Sequence, residues 1–179
     1  MMKKNIFEFL ADFFRQTKIQ FLLIGGFAVN AYGFSRQTAD VDCLIAEENK
    51  VKALQRFQAS GFKIQAQGPI FARLTHTEYS MDLDLLFVES RTLQNMIKEA
   101  KSVKITGQCL PIPSLNHLIA LKLHAVKNDP QREWSDLPDI LNLVRINRLN
   151  VKDYSFQQLC SQFGPPLIYE KILKGSVSG

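Results

Sequence analysis

Two short apolar runs each carry a pair of aspartates separated by one hydrophobic residue. They are "ADVDCLIA", with Asp40 and Asp42, and "MDLDLLF", with Asp82 and Asp84. Both runs have the length and content of buried strands. On a strand, residues i and i+2 project to the same face, so Asp40 and Asp42 share one side while Val41 takes the other. An ionised carboxylate buried without a partner costs several kcal/mol or more, so a chain with two such strands needs a compensating positive charge or a metal ion. If the two strands are neighbours, three or four carboxylates converge.

What precedes the first pair narrows the choice further. "IQFLLIG" reads as a buried strand that ends at Gly25-Gly26, and "FAVNAYGF" reads as a short helix closed near Gly33. A strand that ends in two glycines and opens a helix lets backbone N–H groups come close to an anion such as a triphosphate. The carboxylates supply hard oxygen ligands, which favour Mg2+ or Mn2+ over zinc. Two such ions about 3.5 to 4 Å apart suit an in-line displacement at phosphorus.

The remaining chain reads as a mixed α/β core followed by helices. A helix is expected over residues 4–17, from the spacing of Ile6, Phe7, Leu10, Phe13 and Phe14, and another over 47–60 through Val51, Leu54 and Phe57. "FKIQAQ", "IFARLTHT" and "YSMDLDLLFV" suggest a hairpin or meander. A helix over 90–101 and a short extended piece, "VKITGQCLPIP", follow. From Ser114 the pattern is helical almost to the end, and the tail 174–179 is expected to be frayed. The expected division is a core over residues 1–113 and a helical region over 114–179 packed on it.

At 179 residues the chain can bury one good core but not two full-sized domains, so a single site is sought. A net charge of +5 is compatible with phosphate-bearing partners without requiring them. No run is long enough for a membrane helix, and Glu8 and Asp12 interrupt the N-terminal segment where a signal peptide stays apolar. A cytosolic protein without a membrane partner is therefore expected. Cys43, Cys109 and Cys160 match no zinc or redox spacing and read as reduced, partly buried thiols. His76, His117 and His124 form no metal triad by spacing, and Trp134 reads as core.

The ordered set strand, Gly-Gly, helix, Arg-x-Thr-x-Asp-x-Asp, then a second strand with aspartate resembles the nucleotidyltransferases of the DNA polymerase beta-like superfamily. The resemblance is closest to the small bacterial branch of AbiEii-type toxins and minimal nucleotidyltransferases. It spans residues 20–145 through Gly25, Gly26, Arg36, Thr38, Asp40 and Asp42, then Lys122 in "LIALKLHA", then Asp136 and Asp139 in "SDLPDI". It implies a nucleotidyltransferase-like mixed β-sheet flanked by helices. It also implies metals held by Asp40 and Asp42, and a third carboxylate that helps deprotonate an acceptor hydroxyl. Asp84 fits the hydrophobic-Asp-hydrophobic pattern better, but Asp82 lies on the same face. Gly25, Gly26, Arg36, Thr38 and Lys122 would bind a nucleoside triphosphate.

Three of these positions have other physical readings. Lys122 interrupts an apolar helical stripe, so it either snorkels to the surface or reaches a phosphate or an acidic cluster. Asp136 and Asp139 fall near the start of a helix whose expected N-cap is Ser135. There they either favour the helix dipole or order Lys122 or Arg132.

The expected reaction is transfer of a nucleoside monophosphate from an NTP, with Mg2+ or Mn2+, to a hydroxyl of tRNA, a protein or a small molecule. Membership of a toxin-antitoxin pair, with an antitoxin partner, is one of the settings the resemblance implies. The competing expectations are an inactive nucleotide- or partner-binding module and a plain interaction domain whose aspartates face water.

Overall fold

The structure, a computed structural model, describes residues 5–177, with Val177 described in its backbone only. The chain divides into two compact units. The first comprises residues 1–28 and 37–113, and the second residues 29–36 and 114–179. Residues 29–36 thus belong with the C-terminal helices, although they precede the second strand. Among the described residues no helix is long and apolar enough to cross a membrane.

In the first unit, α1 (Ile6–Thr17) is capped by Asn5, whose side chain accepts from Phe7 N. Lys4, the first residue of the expected helix, lies outside the described residues. The stripe read from the sequence, Ile6, Phe7, Leu10, Phe13 and Phe14, is the buried face. β1 (Phe21–Ile24) runs without a loop into α2 (Gly25–Ala31). β2 (Asp40–Ala46) pairs antiparallel with β1 and leads through a single 3-10 turn, Glu47–Asn49, into α3 (Lys50–Ala59). Leu54 and Phe57 of α3 are buried as expected. Val51 is not: it is 67% exposed, because the buried face of this short helix runs through Ala53, Leu54 and Phe57.

β3 (Lys63–Gln67), β4 (Phe71–Thr75) and β5 (Asp82–Val88) form the expected meander, and β5 returns parallel to β2. The five-stranded order is β1-β2-β5-β4-β3, a mixed sheet. α4 (Ser90–Lys98) is shorter than the helix expected over 90–101. Ala100 N already bonds back to Ile97 O, and Lys101 opens a strand. The extended piece that follows is a hairpin, β6 (Lys101–Ile105) and β7 (Gln108–Ile112), turned at Thr106-Gly107 with positive φ at both residues. β7 packs against β1 and α1.

The second unit is helical: α5 (Leu115–Asn128), α6 (Glu133–Ile146), α7 (Tyr154–Phe163) and α8 (Ile168–Val177). Ser114 caps α5 by accepting from His117 N, as the helix start at Ser114 anticipates. Ser135 does not cap α6, because that helix starts two residues earlier at Glu133, continuing a 3-10 turn whose own cap is Asp129. Ser135 Oγ donates instead to Arg132 O. Pro138 lies inside the helix at its sixth residue, where it supplies no N–H to the carbonyl of Trp134. The tail is not frayed through its length. α8 continues to Val177, while Ser178 and Gly179 lie outside the described residues.

Candidate active site

Within the first unit, strand register gathers the aspartates. Because β2 and β5 are parallel, Asp40 stands level with Asp82 and Asp42 with Asp84. Side chains of residues paired across neighbouring strands project to the same side, so all four carboxylates share one face at the N-terminal ends of the two strands. Beyond them both faces of β2 are buried, from Cys43 to Ala46. The carboxylates therefore lie where the sheet emerges from the core.

The glycine pair closes over this edge. Gly25 has φ of +63°, and a Cβ placed there would lie 1.9 Å from Asp42 Oδ2. At Gly26 a Cβ would lie 2.6 Å from Thr38 Oγ1. Both positions therefore demand glycine for space, and Gly25 also for its left-handed backbone. Thr38 packs against Gly26, and its hydroxyl donates to Asp40 O at 3.2 Å. The first glycine is fitted to the carboxylate of Asp42 and the second to the turn that delivers Asp40.

The compensating charge demanded by the aspartates is a residue that sequence reasoning missed. β4 runs antiparallel to β5 with Arg73 opposite Asp84. Arg73 Nε donates to Asp84 Oδ1 at 2.8 Å and Nη2 donates to Asp84 Oδ2 at 2.5 Å. Nη2 also reaches Asp40 Oδ2 at 3.4 Å. The hydrogen bonds to Asp84, then its charge, raise the guanidinium pKa above the ordinary arginine value, and the charges of Asp40 and Asp82 act in the same direction. The signal was present: "ARL" alternates against "DLD" across an expected hairpin, which places the arginine opposite an aspartate once the register is known.

Among the described residues no three His, Cys, Asp or Glu side chains converge closely enough to enclose a metal ion as they stand. The donors nonetheless fit a hard divalent cation by kind and by side: all are carboxylates on one face, and a cation, the guanidinium, already bridges Asp84 and Asp40.

Within the second unit, Arg36, Lys122, Asp136 and Asp139 form one network. Lys122 is buried on α5, and its Nζ donates to Asp136 Oδ1 at 2.7 Å. Asp139 Oδ2 lies 2.7 Å from the same nitrogen, in an ion pair off the hydrogen-bond direction. Arg132 Nε donates to Asp136 Oδ2 at 2.8 Å, and Arg36 Nε lies 3.0 Å from Asp139 Oδ1. Asn30 fixes the backbone at Arg36 from both sides, accepting from Arg36 N at 2.9 Å and donating to Arg36 O at 3.0 Å. Of the two readings of Lys122, the structure shows an acidic cluster at its ammonium. Asp136 and Asp139 are the acids that order it.

The other singled-out residues lie elsewhere. His124 is exposed and bonded to Asn128, and His76 packs tilted against the rings of Phe62 and Tyr79. Cys43 and Cys160 are buried and Cys109 is exposed. Trp134 is not core: it is 90% exposed, since α6 buries its opposite face through Asp136, Asp139, Ile140 and Leu143.

No protein-family model matches the chain, and no curated protein matches it in sequence. Solved structures match it in shape. ANT(2")-Ia, in complex with adenylyl-2"-tobramycin, superposes with a TM-score of 0.65 over 88% of this chain and 94% of its own, at 11% identity. LnuA, a lincosamide antibiotic adenylyltransferase in its lincomycin-bound form, superposes at 0.57 over 82% of this chain and 99% of its own, at 20% identity. The fold is that of the nucleotidyltransferases. An antigenic nucleotidyltransferase-like protein from Paracoccidioides brasiliensis shares it, at a TM-score of 0.57 and 19% identity over 95% of this chain and 91% of its own. At these identities the likeness is one of nucleotidyltransferase fold.

Proposed function

We propose that the chain is a metal-dependent nucleotidyltransferase that moves a nucleoside monophosphate from an NTP to a hydroxyl of a small molecule and releases pyrophosphate. The observation that carries the reading is the fit of Gly25 to Asp42, on a face where Asp40, Asp42 and Asp84 stand in register. A surface aspartate pair has no reason to require glycine where a Cβ would lie 1.9 Å from one of its oxygens. Asp40 and Asp42 would hold Mg2+ or Mn2+, which when bound neutralises charge on the transferring phosphate.

The chain's own groups do the rest. Gly25 and Gly26 keep side chains out of the space beside Asp42, so backbone can approach phosphate oxygens. Asp84, level with Asp42, would accept the proton of the acceptor hydroxyl, and Asp82 stands two residues earlier on the same strand, level with Asp40. Holding these groups on adjacent strands of one sheet supplies orientation. Thr38 we assign to the turn that carries Asp40. Arg36 and Lys122 we assign to ordering the second unit, since both cations face its aspartates.

The small-molecule acceptor is supported by the antibiotic ligands of ANT(2")-Ia and LnuA, whose own lengths are spanned almost completely. Acceptors on tRNA or protein, the AbiEii-like branch and an antitoxin partner rest on the motif resemblance alone.

The test is label transfer from each of four α-labelled NTPs with Mg2+ to a panel of hydroxyl-bearing aminoglycosides, lincosamides and a small-molecule cell extract, comparing wild type with Asp42→Ala. Labelled product that disappears in the variant supports the reading. Nucleotide binding without transfer to any acceptor would favour a non-catalytic binding module.

A further inference from the structure

Arg73 engages both oxygens of Asp84 at once, Nε on Oδ1 and Nη2 on Oδ2. While that fork is closed, Asp84 can neither take a proton on its favoured lone pairs nor offer them to a cation. The same Nη2 reaches Asp40, and Asp82 also lies within the guanidinium's electrostatic reach. One positive charge is thus shared among three carboxylates.

We propose that Arg73 is a displaceable counter-cation: it neutralises the carboxylate face in the resting protein, and a divalent ion must unseat it from Asp84 and Asp40 before Asp84 can act. The inference rests on the role given to Asp84 above. Two features make the displacement feasible. The Arg73 side chain is 45% exposed, so water competes for its ion pairs and the fork is weakly held compared with a buried one. It also comes from β4, on the far side of β5 from β2, so it can swing away without disturbing the strand pair that carries the aspartates. An ordinary cross-strand ion pair would add a little stability and leave cation affinity alone. A counter-cation at the ligand oxygens must lower that affinity, because the incoming ion first breaks the fork and then feels the like charge nearby.

The experiment is calorimetric titration of Mn2+, without nucleotide, into wild type, Arg73→Gln and Arg73→Lys, with folding checked by circular dichroism. Arg73→Gln is expected to bind Mn2+ about tenfold tighter or more, judged from removal of one like charge at contact distance. Arg73→Lys is expected to fall between, because lysine keeps the charge but loses the two-pronged grip. Equal or weaker binding in a folded Arg73→Gln overturns the proposal, as does the absence of Mn2+ binding in every form. If Arg73→Gln does not fold, Arg73→Lys decides in the same way, with tighter binding supporting and unchanged binding overturning. The label-transfer assay separates this from the function itself. Tighter Mn2+ binding with no transfer by wild type leaves the counter-cation standing and removes the transferase. Transfer without an affinity change removes the counter-cation alone.

Discussion

Replacing Lys122 by Met tests whether the buried network of the second unit is structural. The Lys122 side chain is 7% exposed, and its two partners, Asp136 and Asp139, are 3% and 4% exposed. Methionine fills a similar volume and removes only the charge. Breaking a buried pair by deleting one partner costs about 3–5 kcal/mol, because the remaining charge is left in low dielectric. Two features reduce the figure here: Asp136 keeps Arg132 and Asp139 keeps Arg36. Both arginines are partly exposed, at 54% and 35%, so each supplies only a screened fraction of what Lys122 supplied. The expected loss is therefore at the lower end, about 3 kcal/mol.

The assay is urea unfolding followed by far-UV circular dichroism, with the loss read from the midpoint at constant slope. The triple variant Lys122→Met, Asp136→Asn, Asp139→Asn is the control. Removing the carboxylate charges together with the lysine is expected to recover much of the loss. A loss below about 1 kcal/mol for Lys122→Met, with Mg-NTP binding weakened instead, would refute the structural assignment and return Lys122 to the triphosphate.

Four other outcomes are expected. Gly25→Ala would drive a methyl group into the Asp42 carboxylate at a backbone φ of +63°, so label transfer is expected to fall at least as far as in Asp42→Ala, with a loss of roughly 1–3 kcal/mol in urea unfolding. Trp134→Ala, at a site 90% exposed, is expected to change stability by no more than about 0.5 kcal/mol; a loss of about 3 kcal/mol or more would restore the core reading. A maleimide at neutral pH is expected to modify one thiol, Cys109, in the folded chain and all three in urea, read by intact mass. Burial, and secondarily the charge of Asp42, pushes the Cys43 thiol up, while burial pushes Cys160 up to about 11. In the unfolded chain both ionise near 9.0, so the unfolded form gives up protons first, and stability full below that pH is lost as pH rises above it, by up to about 1.4 kcal/mol per unit for each thiol.

What could be read in the sequence, and what could not, divides along a physical line. That Asp40 and Asp42 share a face follows from the two-residue period of a strand and needs no partner to be known. The buried stripe of α1 follows in the same way from helical spacing. Val51 and Trp134 failed because an apolar residue type does not fix which face of a helix is packed: the buried face of α3 runs through Ala53, Leu54 and Phe57, and that of α6 lies opposite Trp134. The start of α6 failed for a different local reason: Asp129 and Pro130 open a 3-10 turn that hands on to the helix, so the capping work is done four residues before the helix begins.

The identity of the opposing charge is the harder matter, because it depends on register between segments far apart in the chain. Arg73 meets Asp84 across a hairpin and Asp40 across two strands, while Lys122 meets Asp136 fourteen residues on. Each cation sits in an unremarkable local pattern, an alternating strand in one case and an interrupted stripe in the other. Yet the need for a cation at the strand aspartates was visible from the start, since carboxylates on a buried strand must be compensated. The two solutions differ in a way that bears on function. Lys122 is sealed with its acids, so its release would expose a buried charge, whereas Arg73 is nearly half exposed over carboxylates at the sheet edge. Of the two cations, only the one at the edge can be exchanged for another at modest cost. That is the property a site must have if it is to rest without its metal and still accept it.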